Sequence, residues 1–198
     1  MQSKSGFASS SAQPSYDNGP GSPPVAVQLS GPLTALVSSA FVSGMAYGLL
    51  QFLQRSPVRH PHVAGTAAWG PHLALALATV VVGSVAWTRR RRKFGPRSGP
   101  LWLLAPLGRH AALRVAHALG FGSEAARPGR VLLALPAAVL FVFCCWRAGV
   151  QVTGGLDPNF TANAWGGPSY AGALACHYLD LFLVAAGAMW LVDRILPA

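Results

Sequence analysis

Acidic residues are scarce: Asp17, Glu124, Asp157, Asp180 and Asp193 are the only carboxylate side chains among 198 residues. So few, one of them in the N-terminal tail and one near the C-terminus, leave little material for carboxylate-pair catalysis. Lysine is almost as rare, with only Lys4 and Lys93, so the net charge of +10 is carried by arginine. The three cysteines lack the paired spacing of a metal-binding motif. There is no Gly-rich phosphate loop ending in Lys and Ser or Thr, and no HExxH. The sequence therefore predicts a non-enzymatic protein without a cofactor. Charged residues amount to 10% against 52% hydrophobic, with a mean hydropathy of +0.41, too little polar surface to clothe a soluble globule. The chain reads as a membrane protein, and its Ala, Gly, Arg and Pro bias points to a GC-rich bacterial genome.

What the sequence has in abundance is apolar length. A hydrocarbon layer about 30 Å thick requires roughly 20 apolar residues in a helix. Four stretches qualify, at about Leu33 to Leu53, Ala68 to Trp87, Val131 to Val150 and Ala171 to Val192. The expected fold is an all-α membrane protein, an antiparallel four-helix bundle over residues 31–198 with a disordered tail at 1–30. Pro71 is expected to begin or kink the second span, Pro136 to sit in the first turns of the third or bend it, and Pro168 to open the fourth. The tail is rich in Ser, Gly and Pro and has scarcely any apolar run, so it cannot bury enough surface to order itself. A secretory signal would place its apolar core soon after a charged start; here the first apolar run begins only after thirty residues, so the first span is expected to remain in the mature protein.

Charge asymmetry predicts orientation. The 88–130 loop carries Arg89, Arg90, Arg91, Arg92, Lys93, Arg97, Arg109, Arg114, Arg127 and Arg130, whereas the 54–67 connection has only Arg55 and Arg59. The basic loop is expected in the cytoplasm of a cell-membrane protein, with both termini on the same side. Arg89 to Lys93 follow the second span directly, where a polybasic run meets anionic lipid headgroups rather than nucleic acid. Downstream, His110, Arg114 and His117 share one helical side and Leu107, Ala111, Val115 and Leu119 another, the pattern of a short interfacial helix. The 151–170 outer loop has turn signals at Asp157-Pro158 and Gly166-Gly167-Pro168. It is expected to be compact, with Trp165 and Tyr170 at headgroup depth. Asn159-Phe160-Thr161 fits a glycosylation acceptor, a pattern set aside for a bacterial chain.

Within the spans, Ala40, Gly44 and Gly48 recur every four residues and form a small-residue groove for close helix packing, expected to serve the chain's own helices ahead of a homodimer. Ser39, Ser43, Tyr47 and Gln51 form a polar ridge beside it, expected to face protein. Asp180 lies near the middle of the fourth span. A central Asp costs about 2.5 to 3.5 kcal/mol on insertion, while each of eight Leu, Val and Phe residues around it contributes about 0.3 to 0.6 in return. Insertion is feasible if a polar partner offsets the acid. Depth matching between antiparallel spans predicts a polar cluster of Asp180 and His177 with Ser43 or Tyr47 as donor. The alternative is a proton or ion path through Asp180 and His177. A second alternative is a copper or haem site drawn from Cys144, Cys145, Cys176, His177 and His72, against which stands the small-hydrophobe behaviour of buried cysteine. The function expected first is that of an accessory or assembly subunit, with the bilayer and another membrane protein as partners.

Overall fold

The computed structural model of the protein describes residues 29–94, 112–114, 116 and 128–196. The tail expected at 1–30 and most of the basic 88–130 loop lie outside that set. The described chain is helical: α1 (Gly31–Leu53), α2 (Trp69–Phe94), α3 (Pro128–Gly154), the single-turn α4 (Pro158–Thr161) and α5 (Tyr170–Ile195). Four of these, α1, α2, α3 and α5, are long and apolar enough to cross a membrane.

Local chemistry sets the helix ends. Pro32 occupies the first turn of α1, where a missing N–H costs nothing. Asp157 caps α4 by accepting from the Asn159 amide at 2.9 Å, and Ser169 caps α5 by accepting from the Gly172 amide at 3.1 Å. Pro168 thus precedes the cap instead of entering the helix. Helix α2 continues past Trp87 through the arginine run, because arginine is nearly as good a helix former as leucine and the Gly95-Pro96 breaker comes only afterwards. Helix α3 also starts earlier and ends later than its apolar core. Pro136 therefore falls in its third turn, and Gln151 to Gly154 belong to the helix rather than to the loop.

Helix α3 is the centre of the bundle. On one side it lies parallel to α1, where a Cβ on Gly44 would overlap the Trp146 carbonyl and one on Gly149 would overlap that of Phe41. Gly48 is similarly tight against Val150 and Thr153, and the Thr153 hydroxyl donates to the Met45 carbonyl at 2.7 Å. Backbones approach this closely only where side chains are absent, so the α1 groove is filled from within the chain by the matching glycines of α3. On its other side α3 runs antiparallel to α5. There Ala134, Ala137, Ala188, Val192 and Leu196 form a buried cluster toward the basic end, and the Tyr178 hydroxyl donates to the Ala148 carbonyl at 3.0 Å toward the other.

Helix α2 joins this three-helix row through α5 near one end. Trp69 lies against Gly172, and the Ala68 amide donates to the Trp165 carbonyl at 2.6 Å. The first turn of α2 thereby lies beside the N-terminal turns of α5, from Gly172 to Asp180. From Leu73 onward the large residues Leu73, Leu77, Val80, Val81 and Val82 are exposed along the helix.

The polar ridge of α1 is not enclosed by protein. Ser39, Ser43, Tyr47 and Gln51 are all exposed, because α3 covers only the glycine side of α1 and α5 lies beyond α3. Ser43 donates to the carbonyl of Ala40 in its own helix, and Tyr47 stacks at 5.4 Å on Trp146.

Candidate functional site

A group of polar residues gathers at the end opposite the arginine run, between α2, α5 and the 155–169 connection. His72, in the first turn of α2, is buried. Its Nδ1 lies 2.7 Å from the Ala68 carbonyl and its Nε2 lies 3.2 Å from Asp180 Oδ2. A carbonyl only accepts, so Nδ1 must carry a hydrogen and donate. The expected partners Ser43 and Tyr47 are therefore replaced by His72. Depth matching paired Asp180 with α1 at the same level, but α5 packs on α3 rather than on α1, and it is the first turn of α2 that reaches Asp180.

Aromatic rings wall the pair. The Trp165 ring sits 5.5 Å from His72 and 6.3 Å from His177, tilted against each, so it borders both imidazoles. Trp165 remains half exposed on its far side, while Tyr170 donates its hydroxyl to the Val152 carbonyl at 3.0 Å. His177, three residues before Asp180 on the same side of α5, has a buried Nδ1 without a hydrogen-bond partner. Gln151 of α3, 1% exposed, has an unpartnered Oε1 as well. On the same helix the Arg147 guanidinium lies 5.3 Å over the Phe160 ring of α4, which places its charge beside the connecting segment.

A clamp between two loops closes this end. The Asn159 side chain accepts from the His60 amide at 2.8 Å and donates to the carbonyls of Val58 at 2.9 Å and Ser56 at 3.4 Å. Asn163 accepts from the Val63 amide at 2.9 Å, and His62 Nδ1 lies 2.6 Å from the Ala162 carbonyl. The asparagine of the glycosylation pattern is thus occupied as a backbone clamp. Asn159→Ala is expected to weaken the clamp by about 1 to 2 kcal/mol, since the lost bonds are exposed. Hydrogen exchange should then speed up by roughly 5- to 30-fold in residues 56–63 and stay unchanged in residues 180–195. Equal acceleration in both segments would mean that the clamp holds the whole bundle.

The metal alternative does not assemble. Among the described residues no three His, Cys, Asp or Glu side chains converge as a metal ion would require. Both nitrogens of His72 are engaged, so none is left for a haem iron. Cys144, Cys145 and Cys176 are free thiols, Cys144 and Cys176 buried in the helix packing as small apolar groups.

At the opposite end Arg91 stacks on Trp87 at 4.4 Å and Arg194 on Trp190 at 5.3 Å, each one turn apart. Arg89, Arg91 and Arg92 are exposed; the side chains of Arg90 and Lys93 lie outside the described set. Of the interfacial stretch, residues 112–114 and 116 are helical, and Arg114 pairs with Asp193 of α5.

These features define a small integral membrane protein of four packed helices. Comparison of the chain with known protein families, curated proteins and solved structures finds no match.

Proposed function

We propose that the protein is a non-enzymatic subunit that supports another membrane protein, resting in the cell membrane with its arginine end and both termini in the cytoplasm. The observation that carries this reading is the state of α2. Only 6% of its apolar span is buried within the chain, against 17% for α3 and for α5, and its ties to the remainder lie near its first turn. A helix so weakly held by its own chain presents a full membrane-spanning flank to an apolar helix of a partner. The arginine excess supports the orientation, and the Trp87–Arg91 and Trp190–Arg194 stacks suit the headgroup layer, where anionic lipid would meet Arg89 to Lys93.

Photo-crosslinkers at Leu77 and Val81 in native membranes are expected to capture one discrete membrane protein that also copurifies after gentle solubilisation. In the same cells, impermeant thiol reagents should label single cysteines in the 155–165 segment and spare those at 89–93. Lipid adducts alone at both α2 positions would refute the partner, and the reverse labelling would refute the orientation.

A second reading, a small transporter or proton-conducting component, is favoured by the placement of His72, Asp180 and His177 together within the spans. Proteoliposome flux that requires Asp180, with no stable partner, would select it.

A further inference from the structure

The contact between His72 and Asp180 contains a proton count. Nδ1 donates its hydrogen to the Ala68 carbonyl, so in a neutral imidazole Nε2 is a bare acceptor. An ionised Asp180 is also acceptor-only. Two acceptors 3.2 Å apart would repel, so the observed contact requires one proton between them. It sits either on Nε2, which then donates to the carboxylate, or on Oδ2, which then donates to Nε2. Both forms contain the same number of protons, and the titration belongs to the pair rather than to either residue.

We propose that the His72–Asp180 pair is a proton-binding site whose occupancy fastens α2 to α5. The bound proton comes from water at the loop end and adds to one lone pair; nothing else is consumed or released. When it leaves, a carboxylate and an imidazole lone pair face each other between helices. Separation of the first turn of α2 from α5 relieves the repulsion and lets water reach both groups. Closure takes up one proton, so the contact is fully present at low pH and is lost as pH rises through the titration of the pair.

The surrounding groups fit this assignment. On α5 the pair is faced by His177, with its unpartnered buried Nδ1, and by Cys176. On α3, Arg147 acts electrostatically on His177, and Cys144 and Cys145 are free thiols. From the 155–169 segment the neighbour is the uncharged Trp165 ring, and Asp157 is turned to its own cap. From α2 itself only His72 titrates at this end. Among the described residues no arginine or lysine bonds to Asp180, so the mobile proton is its compensating charge. The site shares residues with the transport reading but requires no passage across the bilayer, and it is independent of any partner.

The test uses the full-length protein in lipid nanodiscs, with hydrogen exchange of residues 68–75 corrected for the intrinsic rate at each pH. Between about pH 5 and 9, which brackets the free imidazole value, protection of this segment should fall at least about tenfold while residues 134–150 stay protected. Asp180→Asn supplies an amide that donates to Nε2 with no added proton. It should keep protection high and nearly flat across the same range. Unchanged protection in the wild type would overturn the proposal. So would a fall in Asp180→Asn matching that of the wild type, because the pH response would then arise elsewhere.

Discussion

Gly44→Leu is expected to pull α1 away from α3 and cost about 3 kcal/mol or more, enough to leave little assembled bundle. A Cβ at this position would overlap the carbonyl oxygen and carbon of Trp146, both backbone atoms of a helix that cannot move aside without losing Gly149 from its seat beside Phe41. Even Gly44→Ala should be severe, since the clash begins at the first side-chain carbon. Gly83→Ala is the matched control: a Cβ there meets nothing within 4 Å, and alanine should stabilise α2 by about 0.5 to 1 kcal/mol through helix propensity alone. Unfolding in mixed micelles, followed by tryptophan emission, measures both. Equal stabilities for Gly44→Ala and Gly83→Ala would show that α1 and α3 are not held by backbone proximity.

The glycine interface also shows what could be read in the chain and what could not. Ala40, Gly44 and Gly48 stand out because a four-residue repeat of small side chains is itself a packing pattern. Their counterparts Gly149 and Gly154 are five apart and do not form such a row. The four spans are legible for a similar reason: bilayer thickness fixes a length that apolar composition either meets or does not. Helix ends are less legible, since hydropathy ends where charge begins, whereas the α2 helix runs on through arginines that have no reason to break it.

The position of His72 beside Asp180 is a different kind of fact. It depends on how far α2 is set along α5, which is decided by the Ala68–Trp165 hydrogen bond and the seat of Trp69 on Gly172. The asparagine clamp to residues 56–63 holds the neighbouring loop in the same way. These contacts join segments about 100 residues apart through single backbone donors and acceptors, which leave no periodic trace in composition or hydropathy. Asp180 announces that a partner exists because a lone acid in a span is costly. Its identity comes from the loop.

His72→Leu and Asp180→Leu are each expected to destabilise the α2–α5 contact by about 3 kcal/mol, because each strands the other polar group between helices. The double variant should cost clearly less than the sum, with a coupling energy of about 1 to 3 kcal/mol, since replacing both partners by apolar side chains leaves nothing unpaired. Asp180→Asn should cost under about 1 kcal/mol, its amide replacing the shared proton as donor. Ser43→Ala and Tyr47→Phe should each fall within about 0.5 kcal/mol of wild type, as both side chains are exposed and Ser43 bonds within its own helix. The cycle thus separates two arrangements of one acid. Coupling of Asp180 to His72 with none to Ser43 or Tyr47 places the polar contact between α2 and α5. Coupling to Tyr47 instead would require α5 to lie against α1, an arrangement that the Gly44–Trp146 and Tyr178–Ala148 contacts exclude by putting α3 between them.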